Sequence, residues 1–245
     1  MPESNDTPES STRGDSRLLT FLFVLLSANA WLLSWPPVDL WPMSFLWAAL
    51  LVRAVLGAKG WGWPALCGLV LYTVAWAWLL RWSSAVTGPG YPVLAVYSAA
   101  WFVVFMLVLR RLAGRGPLQR LPLAVSVPVI WLAIEYLRAE IFLGAWPWYL
   151  AGQCLIEWPL LAQIADLGGV WMVGVLVLTV GASASEWMGP ERPRSSARWS
   201  AVVAIGGLAF TLGYGVYRLG SPTGPELGRI LLVQTDLPQN NKIGW

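Results

Sequence analysis

From Leu18 onward the chain alternates long apolar stretches with short polar or Gly/Pro-rich breaks. The stretches fall near Leu18–Trp35, Val38–Leu56, Trp61–Leu80, Tyr91–Leu109, Leu121–Leu137, Leu160–Ala184 and Trp199–Tyr217. Each suits a helix of about 17–25 residues, the length that crosses a ~30 Å hydrocarbon core. The breaks carry turn chemistry: Trp35-Pro36-Pro37, Gly57 to Gly62, Thr87-Gly88-Pro89-Gly90, Gly114 to Pro117 and Gly189-Pro190. The apolar runs are continuous and do not alternate with period two, which selects helices over a barrel. Trp35, Trp61, Trp63, Trp82, Trp158, Trp187 and Trp199 stand near the predicted ends, where an amphipathic ring suits the headgroup layer. The pattern predicts an all-α polytopic membrane protein with about seven transmembrane helices in residues 18–218.

Charge orients it. With the N-terminus inside, the inner segments hold Arg13, Arg17, Arg53, Lys59, Arg110, Arg111, Arg115, Arg120, Arg192, Arg194 and Arg198. The outer side holds only Arg81, Arg138, Arg218, Arg229 and Lys242. This bias places the N-terminus in the cytoplasm. The four arginines from Arg110 to Arg120 read as a topology signal facing anionic lipid. Residues 1–17 lack an apolar cluster and read as a disordered tail. Ala28-Asn29-Ala30 resembles a signal-peptidase site, but the long preceding region with Glu3, Asp6, Glu9 and Asp15 favours a retained first span.

Composition narrows the chemistry. The 245 residues are 57% hydrophobic and 12% charged, with 18 Trp, two Cys and no His. Without His there is no Ser-His or Cys-His pair, no His-based zinc site and no imidazole base. Cys67 and Cys154 are too few for a thiolate metal site or a disulfide framework. No metal or cofactor is expected, and a net charge of +3 gives no argument for a nucleic-acid partner. After Tyr217 the composition shifts. Residues 219–228 read as a linker, and Arg229-Ile230-Leu231-Leu232-Val233-Gln234 reads as a β-strand. One strand alone leaves both edges unpaired. Residues 229–245 are therefore expected to open a further, incomplete domain.

Four stretches in register carry a resemblance. They are Ser34-Trp35-Pro36-Pro37-Val38-Asp39-Leu40-Trp41-Pro42; Glu135-Tyr136-Leu137-Arg138 with Leu143-Gly144-Ala145-Trp146-Pro147-Trp148; Pro159 to Val170; and Leu232 to Gln239 with Lys242 and Trp245. Together they resemble bacterial apolipoprotein N-acyltransferases. The resemblance implies an inner-membrane, multi-pass protein whose helices hold a periplasmic carbon-nitrogen-hydrolase (nitrilase-like) α/β domain. It also implies transfer of an acyl chain from a phospholipid such as phosphatidylethanolamine to the α-amine of a diacylglyceryl-modified apolipoprotein. The family's Glu base, oxyanion Lys and Cys nucleophile, which act through a thioester, belong to that domain. None of them matches a position here, so no catalytic residue is expected in this chain and it is expected to be inactive alone. Cys67, Cys154 and Lys242 match no catalytic position.

By resemblance, Glu135, Arg138, Gly144, Pro147, Trp148, Gln234 and Trp245 are the substrate-binding candidates. Glu135 and Arg138 share a helix face at i,i+3, either as an interfacial ion pair or as a holder of lipid phosphate through the Arg fork. Gly144, Pro147 and Trp148 match an element lining the family's lipid-access region, although Ala145-Trp146 adds one residue to it. Gln163 and Asp166 read as interhelical hydrogen-bonding residues. A non-catalytic lipid- or lipoprotein-binding or scaffold protein stays open as the alternative. A transporter lacks its expected paired broken helices.

Overall fold

The structure, a computed structural model, describes residues 9–144 and 146–221, with side chains described from residue 16 onward except at Gly144. The described residues form helices and turns, without a strand. The helices are α1 (Glu9–Leu33), α2 (Met43–Gly57), α3 (Gly62–Leu79), α4 (Ser84–Thr87), α5 (Gly90–Leu109), α6 (Leu123–Tyr136), α7 (Pro159–Ala162), α8 (Ala165–Met188) and α9 (Arg194–Leu219). Proline sets many of the starts. Pro42, Pro89, Pro122 and Pro193 immediately precede α2, α5, α6 and α9, and Pro159 opens α7. A ring with fixed φ and no N–H suits a helix start, where that N–H would lack a partner.

Five windows are long and apolar enough to cross a membrane: Ser16–Leu33, Gly62–Leu79, Gly90–Gly114, Ala165–Met188 and Arg194–Leu219. The other two predicted spans are shorter, 15 residues in α2 and 14 in α6. At 1.5 Å per residue they reach only about 20 Å. Both are mostly buried in protein, so their shortness exposes little backbone to lipid. In α6, Pro128 removes an interior N–H, and the helix widens past Tyr136 into a loose turn over Leu137–Ile141. The first helix runs back to Glu9, ahead of the expected start at Leu18. The expected strand and the candidates Gln234 and Trp245 lie outside the described residues.

The predicted span Leu160–Ala184 is also redrawn. α7 is one short turn, Gln163 falls in the break after it, and α8 carries a local unwinding at Gly168-Gly169. Gly169 has φ +63°, a left-handed value that a side chain would resist. Apolar runs reveal length but not such interruptions.

Packing centres on α8, which lies against α2, α6 and α9, while α1 contacts α2 and α3, and α5 contacts α3 and α6. At Gly181 a methyl group would come 2.6 Å from the Ala48 Cβ, so the α2–α8 crossing depends on glycine there. The core is aromatic. Trp31 packs edge-on against Trp47 at 5.0 Å and Phe102 at 5.1 Å, and Trp131 joins Trp47 at 5.0 Å and Phe105 at 4.9 Å. Such edge-to-face pairs add about 0.5–1.5 kcal/mol each beyond area burial. Of the tryptophans assigned to the ends by sequence, Trp61, Trp63, Trp82, Trp158, Trp187 and Trp199 are exposed, and Trp35 alone is buried.

The two ends of the bundle differ. One carries the turn after α1 and the long segment between α6 and α8. The other carries the arginine-rich turns between α2 and α3, α5 and α6, and α8 and α9. At the arginine-rich end the buried Glu186 of α8 accepts the Leu123 N–H at 3.1 Å and the hydroxyls of Ser196 and Ser200, joining α6, α8 and α9. Arg110 donates to the Val55 carbonyl at 2.8 Å and Arg192 to the Leu121 carbonyl at 2.6 Å. Arg110, expected only to face lipid, thus also closes a helix end.

Candidate functional site

Glu135 ends α6 and Arg138 stands in the loose turn that follows. Both are buried, at 3% and 4% exposure, which excludes an interfacial pair reaching into water. Their closest charged atoms are 3.9 Å apart. Each is directed mainly at backbone. Arg138 Nη1 donates to the carbonyls of Trp148 at 3.0 Å and Trp146 at 3.4 Å, and its Nη2 donates to Tyr149 O at 3.4 Å. Glu135 Oε1 accepts the Ala151 N–H at 2.8 Å. The guanidinium also lies over the Trp76 ring, 5.9 Å from its centroid.

The pair therefore holds residues 146–151 by both kinds of backbone group. Arg suits the role because its planar fork reaches several carbonyls at once. Burying a charge this deeply is costly unless it is paired and hydrogen-bonded, and here it is both.

The held segment has an unusual shape. Tyr149 takes φ +57°, which a bulky side chain adopts only under local constraint. Its hydroxyl donates to Leu79 O at 3.0 Å, and its ring meets Trp35 at 4.9 Å and Trp76 at 5.3 Å. Gln153 closes the next turn, accepting from Leu150 N at 3.0 Å and donating to Pro147 O at 3.3 Å. Gly152 sits so close to the Val170 carbonyl that any side chain would collide with it.

Beside this segment opens a cleft of about 320 Å³. Ser34, Trp35, Pro36 and Asp39 form one wall, and residues from Trp148 to Trp158 form the other. Asp39 also has a positive φ, +50°. Trp148 is half exposed and rests against Trp82 at 5.2 Å, while Trp158 packs on Trp41 at 4.8 Å. Apolar rings with polar edges, around a recess at the end of an apolar bundle, suit an amphipathic ligand.

A recess of about 350 Å³ at the arginine-rich end, near Arg17, Lys59 and Trp63, is slightly larger. Its one buried polar side chain, Thr20, is satisfied within its own helix by the Ser16 carbonyl at 2.9 Å, and no buried charge shapes its wall, so the smaller cleft is the stronger site.

The sequence candidates distribute unevenly around the cleft. Trp148 lines it, whereas Glu135 and Arg138 stand behind it and organise its wall. Pro147 is exposed and accepts from Gln153, and Gly144 ends the short turn Phe142–Gly144. Trp35, Tyr149 and Gln153 are not among the substrate-binding candidates of the sequence, although Trp35 stands there as an interfacial ring. For Trp35 the Trp-Pro-Pro sequence was visible, but its burial was not. Cys154 is buried, its thiol donates to Ala151 O at 2.8 Å, and burial pushes its pKa up, away from the thiolate. Asp166 of α8 pairs with Arg218 of α9 at 2.5 Å and accepts from the Tyr214 hydroxyl at 3.3 Å.

Comparison with known families gives a consistent picture. The family described as apolipoprotein N-acyltransferase N-terminal domain matches residues 27–183. That stretch includes both walls of the cleft and the Glu135–Arg138 pair. Proteins named apolipoprotein N-acyltransferase are similar over most of the chain. The Rhodopirellula baltica protein is 27% identical over 216 residues, 82% of this chain and 38% of its own length. The Geobacter metallireducens protein is 27% identical over 232 residues, 91% and 44% respectively. The Rhodopseudomonas palustris protein is 33% identical over 174 residues, 69% and 30%. The chain thus spans less than half the length of these curated relatives.

Proposed function

The chain belongs to the apolipoprotein N-acyltransferase family through that N-terminal domain, and from this premise we propose that it forms the membrane part of such an acyltransferase. In this reading seven helices cross a bacterial inner membrane with the N-terminus cytoplasmic. The Trp35–Trp158 cleft then opens at the periplasmic end. The acyl donor is a phospholipid of the phosphatidylethanolamine type, and the acceptor is the α-amine of a diacylglyceryl-modified apolipoprotein. Gln234 and Trp245 lead into the nitrilase-like domain, which supplies the Glu, Lys and Cys of thioester chemistry.

The observation that carries the reading is the double hold on residues 146–151. Two buried charges fix the wall of a cleft in which an amphipathic molecule fits, and fixing a binding wall in advance lowers the ordering cost of binding. The chain contributes this binding surface and not the nucleophile. Its buried thiols favour that division of labour. Glu135 and Arg138 are positioning residues, and Trp148 and Trp158 contact the lipid.

A chimera tests this. The chain is fused to the C-terminal remainder of the Geobacter metallireducens relative and given dipalmitoyl-phosphatidylethanolamine and a diacylglyceryl-cysteine peptide. The chimera is expected to N-acylate the peptide, and the chain alone is not. A folded chimera without transfer, beside an active relative, would contradict the reading.

A further inference from the structure

A second feature lies on the face formed by α8 and α9 and shares no lining residue with the cleft. A groove of about 190 Å³ runs between the two helices, lined by Ile164, Met172, Leu176, Val203, Gly207 and Phe210 among others. Both helices are long and apolar enough to cross a membrane, and only 22% of the α9 window is buried in protein. At one end of the groove stands the Asp166–Arg218 pair, each side chain 42% exposed. Val203, Gly207, Phe210, Tyr214 and Arg218 follow one another at helical spacing along one stripe of α9.

The dimensions match one leaflet. From Gly207 to Arg218 the helix rises roughly 16 Å at 1.5 Å per residue. That is about half of a ~30 Å hydrocarbon core. The groove therefore lies at acyl-chain depth when the ion pair lies at headgroup depth. Charge selects the headgroup. A half-exposed cation offers its fork to a phosphate, and the carboxylate beside it favours an ammonium. A zwitterionic headgroup satisfies both partners, whereas a purely anionic one would meet Asp166 with repulsion.

We propose that this face binds one zwitterionic glycerophospholipid, with an acyl chain in the α8–α9 groove and its headgroup on the Asp166–Arg218 pair. The inference does not rest on the acyl-transfer reading. The bound lipid seals a groove in the thinly covered α9 and ties its end to α8.

The test uses the whole chain in nanodiscs of equal parts dioleoyl-phosphatidylethanolamine and dioleoyl-phosphatidylglycerol, followed by native mass spectrometry. Beyond any lipid held at the cleft, one phosphatidylethanolamine is expected to stay with the chain, at about fivefold over phosphatidylglycerol, the scale of one charge-assisted contact. Gly207→Leu places a side chain in the groove. A methyl at Gly207 meets nothing within 4 Å, and leucine is the better helix former, so this variant should fold. It is expected to hold one lipid fewer than the parent chain, and the double variant D166N/R218Q is expected to keep the parent's number but lose the headgroup preference. Unchanged retention in Gly207→Leu, or equal retention of the two lipids by the parent chain, would overturn the proposal. So would a disulfide-linked pair of chains formed through a Phe210→Cys variant, since the groove would then hold protein.

Discussion

The two ends of the bundle use the same residue types to opposite effect. At the arginine-rich end Glu186 joins α6, α8 and α9, Arg53 of α2 pairs with Glu191 just past α8 at 2.5 Å, and Arg192 reaches the Leu121 carbonyl ahead of α6, all around a void of only about 10 Å³. At the other end Glu135 and Arg138 leave a cleft of about 320 Å³ beside the segment they hold. The difference is in what the charges bind. Glu186 accepts from the first N–H of α6 and from two hydroxyls of α9, so it joins elements already in contact. Arg138 instead gathers three carbonyls of a non-helical segment and keeps that segment arched. A buried charge directed at helix ends closes a bundle, and one directed at a loop shapes a recess.

The comparison can be broken from either side. Arg138→Ala carries the largest expected cost, about 3–5 kcal/mol, because Glu135 is left buried beside freed carbonyls. Thermal melting of the purified chain in detergent reads this loss, and the cleft should become open to cysteine labelling at residues 147–150. Glu186→Ala follows at about 2–3 kcal/mol, from a buried N–H and hydroxyls losing their charged acceptor. It should lower the melting temperature while leaving phospholipid binding at the cleft intact. Gly181→Val separates packing from polar effects. It overfills the α2–α8 crossing and should cost about 1–3 kcal/mol in the same melting experiment. Trp148→Ala is expected to change stability by less than about 0.5 kcal/mol, as for an exposed side chain, yet to weaken phospholipid binding measured by equilibrium dialysis.

The legible part of this molecule was whatever depends on local pattern. Apolar runs marked the helices, prolines and glycines marked their breaks, and exposed tryptophans stood where interfacial residues were expected. Other features were hidden because they depend on partners distant in sequence. Trp35 looked like an interfacial ring, but the Trp31 and Tyr149 rings bury it. Glu135 and Arg138 could be paired by spacing, but no spacing showed that their main partners would be carbonyls and an N–H of residues 146–151. The unwinding at Gly168-Gly169 and the short α6 were masked by composition that stays apolar through both.

The most direct test of the account is photo-crosslinking with a phosphatidylethanolamine that carries the reactive group on its headgroup, compared in the parent chain, Arg138→Ala and Glu186→Ala. The account predicts labelled peptides from residues 146–158 and 34–41 in the parent chain and in Glu186→Ala, and their loss in Arg138→Ala. Equal labelling of that region in Arg138→Ala would contradict the claim that the buried pair builds the lipid-binding wall.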